Sequence, residues 1–197
     1  MDEPVARYFD KQFKVEAAKI LPGQYHATPD DVVIVTVLGS CVSACLWDPA
    51  RRIGGMNHFM LPGATGGAAV ASATLGVYAM EVLINRMLKL GAERGRLVAK
   101  VFGGASVLEG MDALNIGSQN SAFVIDFLRE EGIAVAAQDL YDVCPRKVYF
   151  FPHAGKVLVK KLGALRNDTL QRRERDYLAA LKGTPAAGEV EIFEPVR

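Results

Sequence analysis

VVIVTVLGSCVSACLWDPARRIGGMNHFML, residues 32–61, decides how the chain folds. Val32 to Leu38 is a β-branched run that reads as a buried strand, ended by Gly39-Ser40. Val42 to Trp47 and Ile53 to Leu61 read as two further strands. Between them Asp48-Pro49-Ala50-Arg51 carries proline at the second position of a turn. The two strands make a hairpin, and Cys41 sits at the break that precedes it. Counted back from a turn that pairs Asp48 with Arg51, Cys41 falls directly opposite His58 on one face, with Cβ atoms ~4.5–5.5 Å apart. That pairing holds for two central turn residues; a longer loop or a bulge shifts every pair.

Outward from the hairpin, the preceding segment is mixed and holds the turn Pro22-Gly23. Pro62 to Gly67 is a glycine-rich loop, after which Met80, Leu83, Ile84, Met87 and Leu88 recur at helical spacing up to a cap at Gly91. Leu97 to Phe102 is an apolar strand closed by Gly103-Gly104. Those glycines read as a tight turn, since neither G-x-G-x-x-G nor a lysine-bearing phosphate loop accompanies them. Val124, Phe127 and Leu128 mark a second helix, ended at Gly132, and Ile133–Ala137, Lys147–Phe151 and Val157–Leu162 supply three short strands. Leu165 to Lys182 is arginine-rich, with Leu170, Tyr177 and Leu181 at helical intervals, and Gly183 to Gly188 reads as a flexible joint. The expected class is α/β, mixed α+β: a layered sandwich of mixed β-sheet with the two central helices packed on one side. Residues 1–164 form the expected domain, and 165–197 an arginine-rich helix and flexible tail.

Composition narrows the function. At 197 residues, 50% of them apolar and 23% charged, the chain suits one globular core. Its 23 basic and 22 acidic side chains leave a formal charge of +1, so no global field recruits nucleic acid or anionic lipid. No stretch offers the ~20 apolar residues of a membrane span, and Met1 to Lys14 is too charged for a secretory signal, so a cytoplasmic protein without membrane insertion is expected. Cys41, Cys45 and Cys144 form neither an even disulfide framework nor a C-x-x-C pair and read as reduced thiols. His26, His58 and His153 are scattered, and neither a metal nor a cofactor is expected.

A thiol facing an imidazole is a nucleophile with its base. The thiolate attacks carbonyl carbon, and a free cysteine of pKa ~8.5 is mostly protonated at neutral pH, so a base within reach changes its reactivity. The imidazole can then protonate a leaving amine. Gly39 and Ser40 bring the chain sharply off a strand, where backbone N–H groups can form an oxyanion hole beside the nucleophile. Taken singly, Cys41 and His58 read as packing residues, because free cysteine is among the most buried types; their coincidence in register supports the catalytic reading. Cys45, with only Gly54 opposite it, and Cys144, before Pro145, read as structural. A papain-type protease is disfavoured, since that arrangement separates cysteine and histidine by ~130–150 residues.

The string T-V-L-G-S-C-V-S-A-C-L-W-D from Thr36 to Asp48, followed by G-G-M-N-H-F-M-L-P from Gly54 to Pro62, resembles the CheD family of chemoreceptor glutamine deamidases. The likeness continues through A-K-V-F-G-G-A-S, Ala99 to Ser106, N-I-G-S-Q-N, Asn115 to Asn120, and G-K-V-L-V-K-K, Gly155 to Lys161. It implies that Cys41 and His58 are the catalytic pair and that a threonine completes the site. Thr36 is the candidate, displaced by one position from some members; its other reading is a β-branched strand residue facing the core. At Asp139-Leu140-Tyr141-Asp142 many relatives carry paired glycines, which this sequence replaces with bulk. The resemblance implies the layout of the cytotoxic necrotizing factor catalytic domain. It further implies action on the cytoplasmic helices of chemotaxis receptors and, in some members, binding to the phosphatase CheC. Hydrolysis of receptor glutamate methyl esters on the same Cys-His site, or a non-catalytic adaptor role, are the alternatives. Arg172, Arg173 and Arg175 read as a solvated helix face or as a contact with acidic receptor surface.

Overall fold

The computed structural model describes residues 5–62, 67–106, 116–163 and 168–183. Ten strands and three α-helices run β1 (Ala6–Asp10), β2 (Val15–Lys19), β3 (Tyr25–Thr28), β4 (Val33–Leu38), β5 (Val42–Asp48), β6 (Ile53–Asn57), α1 (Gly67–Lys89), β7 (Val98–Gly103), α2 (Ile116–Glu130), β8 (Ala134–Leu140), β9 (Arg146–Phe151), β10 (Lys156–Lys161) and α3 (Asp168–Gly183). They build two five-stranded sheets, ordered β1-β2-β4-β9-β10 and β3-β6-β5-β7-β8. The β2–β4 and β7–β8 pairs are parallel and the others antiparallel, so both sheets are mixed.

The architecture is the expected mixed α and β sandwich. Ile34, Leu38, Val148 and Phe150 of the first sheet pack against Cys41, Cys45, Met56, Met60 and Phe102 of the second. On the far side of the second sheet, Val42, Ala44, Leu46, Ala99 and Val101 meet Met80, Leu83, Ile84 and Met87 of α1 and Val124, Phe127 and Leu128 of α2. With both faces covered, β5 is buried almost throughout, which is why its sequence does not alternate apolar with polar. The outer face of the first sheet carries only a small cluster of Ala17, Val33, Val35 and Tyr149. Here Phe13 meets the Tyr149 and Phe151 rings edge-on at 5.1 and 5.3 Å.

Two expectations are corrected. The segment before residue 32, read as mixed, contains β1, β2 and β3; four of the five β1 residues are exposed, so no apolar pattern marked it. In the hairpin, Asp48 pairs with Ile53, not Arg51, and Cys45 faces Met56, not Gly54. Pro49 to Arg52 form a four-residue loop in which Arg52 adopts φ 53°. The Asp48 carboxylate stabilises it by accepting from the Ala50 and Arg51 N–H groups at 3.0 and 3.1 Å. Every pair moves by two positions, an even slip that preserves the face. With Val42 bridged to Phe59, Cys41 lies opposite Met60, and His58 becomes its diagonal neighbour on the same side. The proposed joint at 183–188 falls outside the described residues from 184 onward, as do residues 63–66 of the glycine-rich loop.

Where the sequence places bulk at 141 and 142, the backbone nonetheless adopts the left-handed region that favours glycine: Tyr141 and Asp142 sit at φ 65° and 82°. Tethers hold them there. The fully buried Arg146 guanidinium donates to the Asp139 and Tyr141 carbonyls, Lys161 bonds the Asp142 carboxylate at 2.8 Å, and the Asp142 carbonyl accepts from the Ser106 N–H at 2.9 Å.

Glycine conformation and close packing can be separated at two other positions. Gly104 and Gly132 have nearly the same φ, +68° and +67°, but a Cβ at Gly104 would overlap Ser121 Oγ, whereas nothing lies within 4 Å of one at Gly132. Gly132→Ala should therefore cost about 1 kcal/mol, the backbone contribution alone. Gly104→Ala should cost about 3 kcal/mol as overpacking is added. Urea unfolding of the two variants compares them; equal losses would show that the Gly104 turn relaxes freely.

Candidate active site

Between β4 and β5 the chain passes through Gly39, Ser40 and Cys41, and all three carbonyls are tied down. The Gly39 oxygen accepts from the Ala105 N–H and the Cys41 oxygen from the Gly104 N–H, each at 2.8 Å. The Ser40 oxygen accepts from Asn120 Nδ2 at 2.8 Å, and Asn120 Oδ1 is itself held by the Leu61 N–H at 2.7 Å. The close approach of β7 to this loop requires glycine, because a Cβ on Gly103 would overlap the Cys41 carbonyl. With the carbonyls engaged on one side, the N–H groups of residues 39–41 converge on the other, forming an anion-binding concavity next to the Cys41 thiol. Gly39 and Ser40 thus form the turn that leads from β4 into Cys41.

That concavity is filled by Glu174 of α3. Its carboxylate accepts from the Gly39 N–H at 2.9 Å, the Ser40 N–H at 3.0 Å and the Ser40 hydroxyl at 2.7 Å, with the Cys41 N–H at 3.5 Å. Glu174 is completely buried. The sequence reading missed it, although a signal was present. Glu174 lies four residues after Leu170 and four before Leu178, both buried, so an acid occupies the apolar stripe of an otherwise polar helix. Asn120 was missed for a similar reason, being a polar residue on the buried face of α2.

His58 is positioned from both sheets. Its backbone is held by β3's approach, donating to the Gln24 carbonyl at 2.9 Å and accepting from the Gly23 N–H at 2.8 Å. Its ring reaches Thr36 on β4, with Nδ1 2.7 Å from Oγ1. The Thr36 hydroxyl has one proton and donates it to the Ile20 carbonyl at 2.9 Å, so the contact with His58 is Nδ1–H donating to Oγ1. The tautomer follows: Nε2 carries the lone pair. Nε2 is buried and has no hydrogen-bond partner among the described residues, an arrangement that suits a base awaiting a proton. No bulge is needed to bring Thr36 into place, since β4 runs in unbroken register against both β2 and β9.

Burial dominates the electrostatics. Cys41 is 0% and His58 2% exposed. Desolvation pushes the Cys41 thiol well above its ordinary pKa, and the Glu174 carboxylate adds to this by its charge and by accepting a hydrogen bond from the thiol. His58 is pushed down to about 3, by burial first and then by the positive charge of Arg173. With α3 docked, both partners are held neutral. Beside His58 an open cleft of about 280 Å³ runs between α1 and α3, walled by Tyr25, Leu75, Tyr78, Tyr177 and Leu181. Of the other sequence candidates, Cys45 is fully buried packing, Cys144 is half-buried, and Arg172 and Arg175 are exposed on α3.

Comparison with known proteins bears on this site. Residues 60–161 match the family described as CheD chemotactic sensory transduction, a span that begins just after His58. Curated relatives cover the whole site. The probable chemoreceptor glutamine deamidase CheD of Methylobacillus flagellatus is 59% identical over 192 residues, 94% of either chain. The probable chemoreceptor glutamine deamidase CheD 1 of Dechloromonas aromatica is 56% identical over 195 residues, 98% of this chain and 97% of its own. A third relative of that description, from Herminiimonas arsenicoxydans, is 58% identical over 94% of this chain and 93% of its own. Matched by the family over more than half its length and by these relatives nearly from end to end, the chain belongs to the CheD family.

Proposed function

We propose that this chain is a chemoreceptor glutamine deamidase, a cysteine-dependent amidohydrolase that converts receptor glutamines to glutamate. The observation that carries the reading is the convergence of the residue 39–41 N–H groups on a carboxylate beside the Cys41 thiol, because a glutamine side chain ends in a group of the same shape. In this reading a substrate carboxamide places its oxygen in that concavity, where the N–H groups stabilise the charge that develops as sulfur attacks. His58 Nε2 takes the thiol proton and passes it to the departing ammonia, and water hydrolyses the thioester to leave glutamate. Thr36 acts as a positioning residue: by accepting from Nδ1–H it fixes the tautomer that leaves Nε2 free to accept.

The product gains a negative charge on a receptor helix, which alters packing between helices and creates a carboxylate for later modification. No helix among the described residues is long and apolar enough to cross a membrane. The proposed location is the cytoplasm, facing the receptors' cytoplasmic helices. On family grounds alone, CheC is a second proposed partner. Residues 1–164 would carry the chemistry and 165–197 an attached arm.

Receptor fragments incubated with wild type should show amide-to-acid conversion by peptide mass spectrometry, and Cys41→Ala should lower its rate at least ~10³-fold. Undiminished conversion by Cys41→Ala would remove the thiol from the mechanism. Thr36→Val keeps the shape of the side chain but removes the acceptor for Nδ1–H. Its kcat should fall roughly 10²-fold with KM little changed, and an unaltered kcat would restrict Thr36 to packing.

A further inference from the structure

Nothing in the chemistry so far accounts for Glu174. A buried carboxylate is costly unless its charge is compensated, and the groups that compensate this one are backbone N–H donors and the Ser40 hydroxyl beside the nucleophile. A helix that needed only an anchor would use an apolar side chain, as α3 does at Leu170 and Leu178. Glu174 differs from glutamine by the one replacement that deamidation makes, and it is delivered from the middle of an amphipathic helix. It also lies beside the residue that would attack, 3.5 Å from the Cys41 N–H. The rest of α3 behaves as an occupant of a groove. Tyr177 and Leu181 wall the cleft opposite Leu75 and Tyr78 of α1, which remain 38% and 68% exposed.

We propose that α3 is an internal product analogue: Glu174 holds the seat of the glutamate formed from substrate, and the docked helix closes the site until it is displaced. This rests on the deamidase reading above. It specifies the substrate as glutamine presented on a helix, with large apolar side chains three or four residues further on, where Tyr177 and Leu178 lie in α3. It also explains why thiol and imidazole are sealed from solvent. The helix that seals them occupies the substrate's place, and its displacement by a receptor helix would relieve the burial that chiefly holds the pair neutral and remove the Glu174 carboxylate and the Arg173 charge that add to it.

The sharpest test is Glu174→Gln, which turns the analogue into a substrate. Cys41 sulfur would bond to the carboxamide carbon introduced at position 174, and the C–N bond would break. Ammonia would leave with the thiol proton carried by His58, and water would hydrolyse the thioester and restore the thiol. One water is consumed and one ammonia released. A chymotryptic peptide spanning position 174 should then carry glutamate, a gain of about 1 Da. In the double variant Cys41→Ala/Glu174→Gln it should remain glutamine. If the side chain at position 174 stays an amide in a folded Glu174→Gln protein that deamidates receptor fragments, the inference is overturned and the deamidase reading stands. If neither amide is converted, both fall. Glu174→Ala provides an independent readout. Alkylation of Cys41 by iodoacetamide should accelerate at least ~10-fold over wild type as the thiol is exposed and the nearby negative charge removed, with circular dichroism confirming the fold. An unchanged alkylation rate would overturn the closing role.

Discussion

Fixing three successive carbonyls on one side of a loop dictates where their neighbouring N–H groups must go. At Gly39, Ser40 and Cys41 the anchors come from Ala105, Asn120 and Gly104, that is, from the end of β7 and from α2. Strands, helices and turn are thereby joined at one point. The glycines at the end of β7 allow the approach, Asn120 spans the gap between Ser40 and Leu61, and the carbonyls behind the concavity are thus held by backbone N–H groups and one neutral amide. A preorganised donor set of this kind favours an oxyanion over water because it needs no reorganisation when charge appears.

The imidazole is governed by a second constraint, the joining of two sheets. His58 directly follows β6 of the second sheet and Thr36 lies in β4 of the first, and the Ile20 carbonyl beyond Thr36 settles which proton goes where. The packing of Ile34, Leu38 and Phe150 against Met56 and Met60 is therefore not merely a core. It sets the distance across which that hydrogen-bond relay must reach.

Much of this was legible in the residues because local rules were sufficient for it. The helical spacing around Met80 and Val124, the β-branched run into Gly39, and the shared face of Cys41 and His58 all follow from periodicity. The hairpin register did not, because the turn's length depended on Arg52 entering the left-handed region and on Asp48 closing a four-residue loop. Parity rescued the pair: an even slip keeps side chains on their face. Strands β1 to β3 were missed because β1 is mostly exposed and β2 and β3 are four or five residues long with only two buried positions each, which leaves little apolar signature. Glu174 had a local signal as an acid in an apolar stripe, but its partners lie more than 130 positions away in the chain, so nothing near it reported the donor set that folding assembles around it.

The turn at Tyr141-Asp142 carries one more consequence. Non-glycine residues there hold a left-handed backbone through bonds to Arg146, Lys161 and Ser106, and Ser106 follows the residue that anchors Gly39. A chain with side chains at both positions samples fewer conformations when unfolded than one with glycines, so ordering this turn sacrifices less freedom. At the edge of the loop that carries Cys41, tethering takes the place of suppleness. The stiffness of that edge now depends on the bonds made by two cationic side chains, Arg146 and Lys161.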